Sequence, residues 1–403
     1  MVVFMNSIFK HGCEIRMPIS SEHQFSNSNI LIVNNGYLQL GVSGGDAHLL
    51  SVGAEWAKQN KVTFLIPGFA ENFVGGAADC CSYRAWIPQS TLGIVIAYLY
   101  RMIRSGVTAW RFRADVTVAG GILVDMLPAW INAVRSKSFL VLYVFHLIPK
   151  RRGKNAAQSV QYLISWIAQQ IALSFYRRAD IIFTDNSLVK EELTARGISP
   201  EKIHLQYPVV EVEAIRRAIP LKAHQILFIG RLVRQKGVYD LLEAVAPLNV
   251  TVGIVGKGEE QAGLIEFIRQ HNMSDRVDLL GFLPVEEKHR RLKGCALFVL
   301  PSYEEGYGIV VGEAIAAGRP VVVYELPHYK EVFKDSLLFV PLGNVAALRE
   351  RIQSALCDTE LERRVREQYK EVVLRSAAVA AEEESLIIRK MMHRRGSPSI
   401  EAL

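Results

Sequence analysis

Two glutamates, Glu305 and Glu313, have seven residues between them in PSYEEGYGIVVGEAIAAGRPVV (301–322). The first stands beside Gly306-Tyr307-Gly308, and the second lies inside an apolar, Ala-rich run. A glycine-rich turn that opens a helix offers unpaired amides and the positive end of the helix dipole, which suits an anion such as phosphate. The spacing predicts a helix start near Gly308 or Ile309 and a stop at Gly318. The amides of Tyr307 to Val310 then face the anion, with Glu305 just before the helix and Glu313 about one turn inside. Carboxylates repel phosphate but accept hydrogen bonds from hydroxyls, two oxygens serving adjacent groups. Upstream, LFIGRLVRQKG (227–237) sets Gly230 and Arg231 at a strand end and Lys236 five residues later. A guanidinium grips phosphate oxygens bidentately and an ammonium adds a point charge, so the pair can hold a diphosphate. Each residue alone is equally an ordinary surface charge or helix carboxylate; the set is not. A ligand with a central diphosphate and a hydroxyl-rich ring at either end, a nucleotide sugar, satisfies Arg231, Lys236, Glu305, Gly306, Gly308 and Glu313 together.

Something must hold these loops in place. Short apolar runs alternate with amphipathic segments along the whole chain, the pattern of a parallel sheet flanked by helices. Runs at 29–35, 61–67, 114–120, 138–146 and 179–186 predict buried strands of one domain. Runs at 225–231, 249–258, 277–283, 296–302 and 319–325 predict those of a second. The fold class expected is α/β, two doubly wound Rossmann-like domains facing across a cleft. The boundaries are an N-terminal extension (1–28), a first domain (29–212), a second domain (219–374), a final helix (375–392) and a tail (393–403). Residues 210–220 are read as the linker. Ligands of such folds lie beyond the carboxyl ends of the strands, where the motifs sit. IVGKGEE (254–260) lacks the third glycine of a dinucleotide fingerprint, so Gly256 and Gly258 are read as a tight turn.

The chain has 403 residues, half of them apolar and 22% charged, which fits an ordinary globular protein. No run of 18 apolar residues is free of charge, and the N-terminus lacks the pattern of a signal peptide. Five cysteines without metal-like spacing predict free thiols and a reducing, cytoplasmic setting. Residues 1–210 hold 20 Lys+Arg against 13 Asp+Glu, whereas the remainder balances at 27 against 27. The excess gathers in Arg101, Arg104, Arg111 and Arg113, interleaved with Tyr98, Tyr100 and Trp110, and in Lys150, Arg151, Arg152 and Lys154. Such a surface suits the inner, anionic face of a membrane, to which the protein would bind peripherally; a solvated basic face fits the charge as well. The neutral second half and the lack of a recognition motif argue against nucleic acid.

The Pro-Ser, the Glu before Gly-aromatic-Gly, the spaced glutamates and the closing AAGRPVV resemble the retaining glycosyltransferases of the GT-B fold, family four. The resemblance covers nearly all of 29–392, specifically in the second half and more loosely in the first. It implies that Glu305 contacts hydroxyls of the transferred sugar, that Glu313 contacts the ribose, and that Arg231 and Lys236 hold the diphosphate. It sets Phe282 and Leu283 of GFLP (281–284) against the nucleobase. It assigns Gly44 and Gly45 of GVSGGDAHLL (41–50) to the loop that approaches donor phosphate and acceptor, with His48 structural. It makes His146, at a strand end, the histidine near the transferred sugar, and returns the final helix to the first domain. The sequence departs from the family at ELPHYKEVF (325–333), which has no glycine-rich loop, although Glu331 falls where a motif glutamate is expected. The activity implied is metal-independent transfer from a nucleotide-diphosphate sugar, with no other cofactor, to a glycan or lipid-linked acceptor. No Asp-x-Asp is present to bridge a metal. A nucleotide-sugar epimerase of similar fold and a non-catalytic nucleotide-sugar-binding protein are the alternative readings.

Overall fold

The computed structural model describes residues 27–36, 44–88, 90–148 and 156–396. Cys13, most of the N-terminal extension, the start of the 41–50 loop, Lys150 to Lys154 and residues 397–403 of the C-terminal tail lie outside the described residues.

Seven strands form the first sheet: β1 (Asn29–Val33), β2 (Lys61–Pro67), β3 (Asp79–Tyr83), β4 (Val116–Gly120), β5 (Phe139–Tyr143), β6 (Ile181–Thr184) and β7 (Ile203–Leu205). Their order is β3-β2-β1-β4-β5-β6-β7, and every pairing is parallel. The second sheet holds β8 (Ile226–Ile229), β9 (Val252–Val255), β10 (Val277–Gly281), β11 (Leu297–Leu300), β12 (Val321–Tyr324) and β13 (Leu338–Val340). Its order is β10-β9-β8-β11-β12-β13, again parallel. The central strands β4, β5, β6, β8, β9, β11 and β12 are rich in Val, Ile, Leu and Phe and buried along nearly their whole length, as strands covered on both faces are. In each sheet the strand order reverses beside the first strand, between β1 and β4 and between β8 and β11, the points at which open α/β sheets leave a crevice. The sequence did not reveal β3, β7 or β13.

Residues 210–220 are not a loose linker. Helix Val212–Arg217 packs on helices Val285–Gly294 and Ile309–Ala316, and buries Ile215 completely. The chain crosses back beside it: Val209 bridges Arg375, and the Val210 amide donates to the Arg375 carbonyl at 2.9 Å. Helix Ala377–Gly396 then lies on the first domain, with Ala380, Ala381 and Ile388 inside that domain's core.

A buried polar knot fixes this return. The Val209 amide donates to His48 Nδ1 at 3.2 Å, so the ring proton sits on Nε2 and is donated to Glu384 Oε1 at 3.1 Å. Tyr143 donates its hydroxyl to the other Glu384 oxygen, and Trp56 Nε1 donates to the Ala381 carbonyl at 3.1 Å. His48 is thus structural, as its sequence context implied. Glu384→Ala leaves two fully buried donors unsatisfied and is expected to cost about 3 kcal/mol. A urea unfolding midpoint indistinguishable from that of the unaltered protein would refute this account of the knot.

Candidate active site at the domain cleft

The loop after β8 carries Arg231, then a single 3-10 turn, Arg234–Lys236, closed by Gly237 at φ 65°. A β-carbon on Gly237 would lie 1.8 Å from the Pro301 carbonyl oxygen, so only glycine lets this loop rest on the end of β11. From the other side the turn after β9 packs backbone to backbone: a β-carbon on Gly256 would lie 1.9 Å from the Gly230 carbonyl oxygen. Hydrogen bonds from the Gly230 amide to Val255 and from the Leu232 amide to Lys257, both 3.0 Å, complete this support. Arg231 is exposed on the resulting platform, and Lys236 is mostly covered.

Lys236 reaches across the switch point to Glu305, its Nζ 2.6 Å from Oε1, while the Ser302 hydroxyl donates to the same oxygen at 2.8 Å. Helix Ile309–Ala316 starts four residues after Glu305, capped by Gly308, and buries Glu313 on its inner side. Glu313 Oε1 accepts from Lys288 Nζ at 2.6 Å, and its Oε2 is buried without a protein partner. Each of the two acids is thus paired with a lysine, so they do not leave net negative charge at the helix N-terminus. Lys288 rises from helix Val285–Gly294 and has no motif to announce it. The strand-end residue Phe282 is 64% exposed, and Leu283 packs on the core of the second domain.

Three further buried polar atoms near this loop have no protein partner: Tyr307 Oη, His328 Nε2 and Tyr329 Oη. Burial holds the His328 imidazole below its usual pKa, hence neutral, although Glu305 and Glu331 oppose the shift. His328 occupies the segment in which a glycine-rich loop was expected. Tyr307 does not face a ligand with its ring. It is inserted between Tyr207 and Phe333, with centroids 5.5 and 5.3 Å away, because the packing of helix Ile309–Ala316 leaves room for an aromatic there.

The first domain closes the site. A β-carbon on Gly306 would meet Asp185 Oδ2 at 2.9 Å and the Phe145 carbonyl oxygen at 3.3 Å, and one on Gly44 would meet Ile309 Cδ1 at 2.7 Å. The exposed residue His146 follows Phe145 directly, so the fold brings it beside the Glu305–Gly306 loop. Gly44 and Gly45 open helix Gly44–Trp56, whose N-terminus thus approaches that of helix Ile309–Ala316. Two positive helix ends converge on one crevice. Ser187 donates to Glu331 across the same boundary.

Asp185, at the end of β6, was not singled out in the sequence. It accepts from the Tyr307 amide and, at 2.9 Å, from Asn186 Nδ2. That bond occupies the Tyr307 amide, one of the amides expected from the sequence to face an anion. Burial pushes the Asp185 carboxyl up to about 7, against its hydrogen bonds. The folded protein therefore holds a proton that the unfolded chain releases near 3.8. Its contribution to stability is fully present below that value, falls as pH rises towards 7 and is constant above. The decline is at most about 4 kcal/mol. Asp185→Asn should remove it, and a difference in urea midpoint between pH 5 and pH 8 equal in both proteins would contradict this.

The basic stretch of the first domain divides. Arg101 is fully buried, donating to the carbonyls of Asn35 (3.2 Å) and Trp86 (2.6 Å), and cannot face an anionic surface as the sequence implied. Its long stem and planar fork fill a gap between loops that a shorter residue would leave open. Arg104, Arg111 and Arg113 are exposed.

Residues 211–372 match the family described as Glycosyl transferases group 1. The chain is 28% identical over 210 residues to the lipopolysaccharide core biosynthesis glycosyltransferase LpsE of Rhizobium meliloti, covering 50% of this chain and 61% of that protein. The chain spans about half the length of the curated relatives it matches, from 42% to 61% of the first four. Among solved structures, sucrose-phosphate synthase from Thermosynechococcus elongatus superposes with a TM-score of 0.71 at 18% identity, over 91% of this chain and all of that one. Anabaena HepE in complex with UDP and glucose superposes with a TM-score of 0.67 at 16% identity, over 92% and 100%. The shared architecture is GT-B.

Proposed function

Because residues 211–372 belong to the glycosyl transferases of group 1, we propose that the whole chain is a retaining hexosyltransferase. It moves a sugar from a nucleotide-diphosphate sugar to a glycan or lipid-linked acceptor in the synthesis of a surface polysaccharide or glycolipid. One observation carries this reading: two acid–lysine pairs, Glu305–Lys236 and Glu313–Lys288, flank a helix N-terminus at the switch point of the second sheet. Glu313, with one oxygen committed to Lys288 and one unpartnered, receives the ribose hydroxyls. The diphosphate lies between, on Arg231, Lys236 and the amides of Ile309 and Val310, and competes with Glu305 for Lys236. Released from Lys236, Glu305 accepts hydrogen bonds from the sugar to be transferred, beside His146. The nucleobase rests on Phe282 and Leu283.

Cleavage of the anomeric bond leaves charge on the diphosphate, which these cations and the helix end stabilise without a metal. The departing phosphate helps take the proton of the acceptor hydroxyl, which attacks from the same face, so the configuration is retained. Gly44 and Gly45 line the acceptor side. The similarity to LpsE supports a glycolipid or glycan acceptor, and the UDP and glucose bound by HepE support the class of donor. A cytoplasmic enzyme attached peripherally to the inner face of a membrane belongs to the same proposal.

A thermal-shift screen with UDP-glucose, GDP-mannose and ADP-glucose tests the donor site. One of them is expected to raise the melting temperature by roughly 3 °C at saturating concentration. Glu313→Ala and Arg231→Ala should each abolish most of that rise. No shift with any nucleotide sugar, or a shift that both variants retain, would defeat the reading. An isomerised donor with no acceptor product would favour epimerisation, and donor binding without turnover would favour a binding role.

A further inference from the structure

Helix Thr91–Arg111 is built inside out. The positions it turns toward the domain are Ala97, Arg101, Ser105 and Ala109, all buried. The positions it turns toward solvent are Leu92, Ile96, Leu99, Ile103, Val107 and Trp110, between 49% and 70% exposed. At 100° per residue these six fall within an arc of about 80°. A surface helix of a soluble domain normally does the reverse. Helix Ala156–Tyr176 repeats the feature: Val160, Leu163, Ile164, Ile167 and Ile171 are 37% to 50% exposed on one stripe, and none of its 21 residues is charged. The two helices touch each other, and both pack on helix Leu123–Ser136, so the stripes belong to one face of the first domain. Scattered apolar side chains on a surface are ordinary, but two parallel stripes on neighbouring helices are not.

We infer that this face seats the protein on an anionic bilayer, the apolar stripes entering the boundary between headgroups and acyl chains. The rim selects the partner. Helix Thr91–Arg111 carries no acidic residue, and Arg104, Arg111 and Arg113 are exposed along it. Arg177 and Arg178, also exposed, follow the second helix. Pairing two copies through this face would set arginines against arginines, whereas anionic headgroups complement them. Trp86, tilted against Tyr100 at 5.0 Å, and Trp110, under the Arg135 guanidinium at 4.8 Å, supply the amphipathic rings favoured at headgroup depth. Among the described residues no helix is long and apolar enough to span a membrane, so the helices lie in the plane of the interface. Both begin at the carboxyl edge of the first sheet, beside the crevice, so a lipid-linked acceptor reaches the site from the bilayer without leaving it. That last step rests on the proposed transfer reaction; the docking does not.

The test uses the full chain and vesicles of phosphatidylcholine, with or without 30 mol% phosphatidylglycerol, at low salt. Co-sedimentation is expected with the anionic vesicles and largely lost with the neutral ones. Leu99→Glu with Ile103→Glu, and separately Ile164→Glu with Ile167→Glu, should each lower the partition coefficient roughly tenfold or more. Ile265→Glu, exposed on the second domain, should not change it. All three variants should keep the thermal shift with nucleotide sugar, which separates failure of this face from failure of the donor site. Unaltered protein that stays in the supernatant, or double variants that sediment like it, would overturn the inference. So would a solution dimer that the double variants split while vesicle binding persists.

Discussion

Replacing Glu305 by glutamine should lower turnover by about a hundredfold or more while nucleoside diphosphate binds at least as tightly as before. The carboxylate is the group that Lys236 and Ser302 hold, and it stands beside Gly306, where the 305–308 loop meets Asp185 and the Phe145–His146 turn. Glutamine keeps the shape but removes the charge that, on the proposed reading, steadies positive character on the sugar as its bond breaks, and preorganised groups of this kind contribute on the order of 10²- to 10³-fold. The same change frees Lys236 from its ion pair and leaves it to the diphosphate, so stabilisation by UDP or GDP alone should not fall. Glu313→Gln should behave in the opposite way. If its oxygens serve the ribose side as proposed, both the nucleoside diphosphate and the complete donor should bind more weakly, and Lys288 loses a partner within 2.6 Å. The comparison reads out the division of labour between the acids. A Glu305→Gln protein that turns over at the original rate, or that loses nucleoside diphosphate binding as Glu313→Gln does, would show that the acids have been assigned to the wrong ends of the ligand.

The parts of this arrangement written locally were legible in the sequence; those that depend on distant pairing were not. Nine strands showed themselves as apolar runs because they are buried along nearly their whole length, and the edge strand β10 showed itself through the apolar run VDLLGFL although it is only partly buried. The three that did not, β3, β7 and β13, are edge strands at three of the four sheet edges, with burial interrupted along their length. An edge strand needs no continuous apolar run, so DCCSY and IHL carry too little signal. Glu305, Glu313 and Lys236 could be picked out because Gly-x-Gly and the strand ends bracket them. Lys288 could not, since nothing in VEEKHRRLKG separates it from its solvated neighbours except the acid opposite. Asp185 fell at a strand end, and its meeting with Gly306 and the Tyr307 amide of the second domain is a distant pairing that no local pattern announces. Arg101 misled for the converse reason: an arginine on an exposed-looking helix implies solvent, whereas packing takes it inside. The two outward stripes were in the sequence as well, but apolar periodicity does not say which face of a helix is covered.

Gly237→Ala should be among the most damaging single methyl groups in the second domain. At φ 65° alanine alone costs about 1 kcal/mol. The new carbon would also sit 1.8 Å from the Pro301 carbonyl oxygen, a backbone atom that cannot rotate aside. The loop after β8 and the end of β11 must separate, and these are the segments that carry Lys236 and Ser302 to Glu305. The total expected loss is at least about 3 kcal/mol, because the clash falls on backbone rather than on a flexible side chain. Gly75 provides the control: its φ of 67° is nearly the same, yet a β-carbon there meets nothing within 4 Å. Gly75→Ala should therefore cost only the conformational part, about 1 kcal/mol. The effect on ligand should separate further than the effect on stability, since moving Lys236 by even 1 Å breaks both its ion pair and its reach to phosphate. At a temperature where both variants remain folded, Gly237→Ala should show little thermal shift with any nucleotide sugar while Gly75→Ala keeps the full shift. Equal destabilisation by the two changes would mean that the backbone conformation, and not the contact with Pro301, sets the requirement for glycine. Equal donor shifts would mean that the loop tolerates displacement and that the diphosphate is held elsewhere.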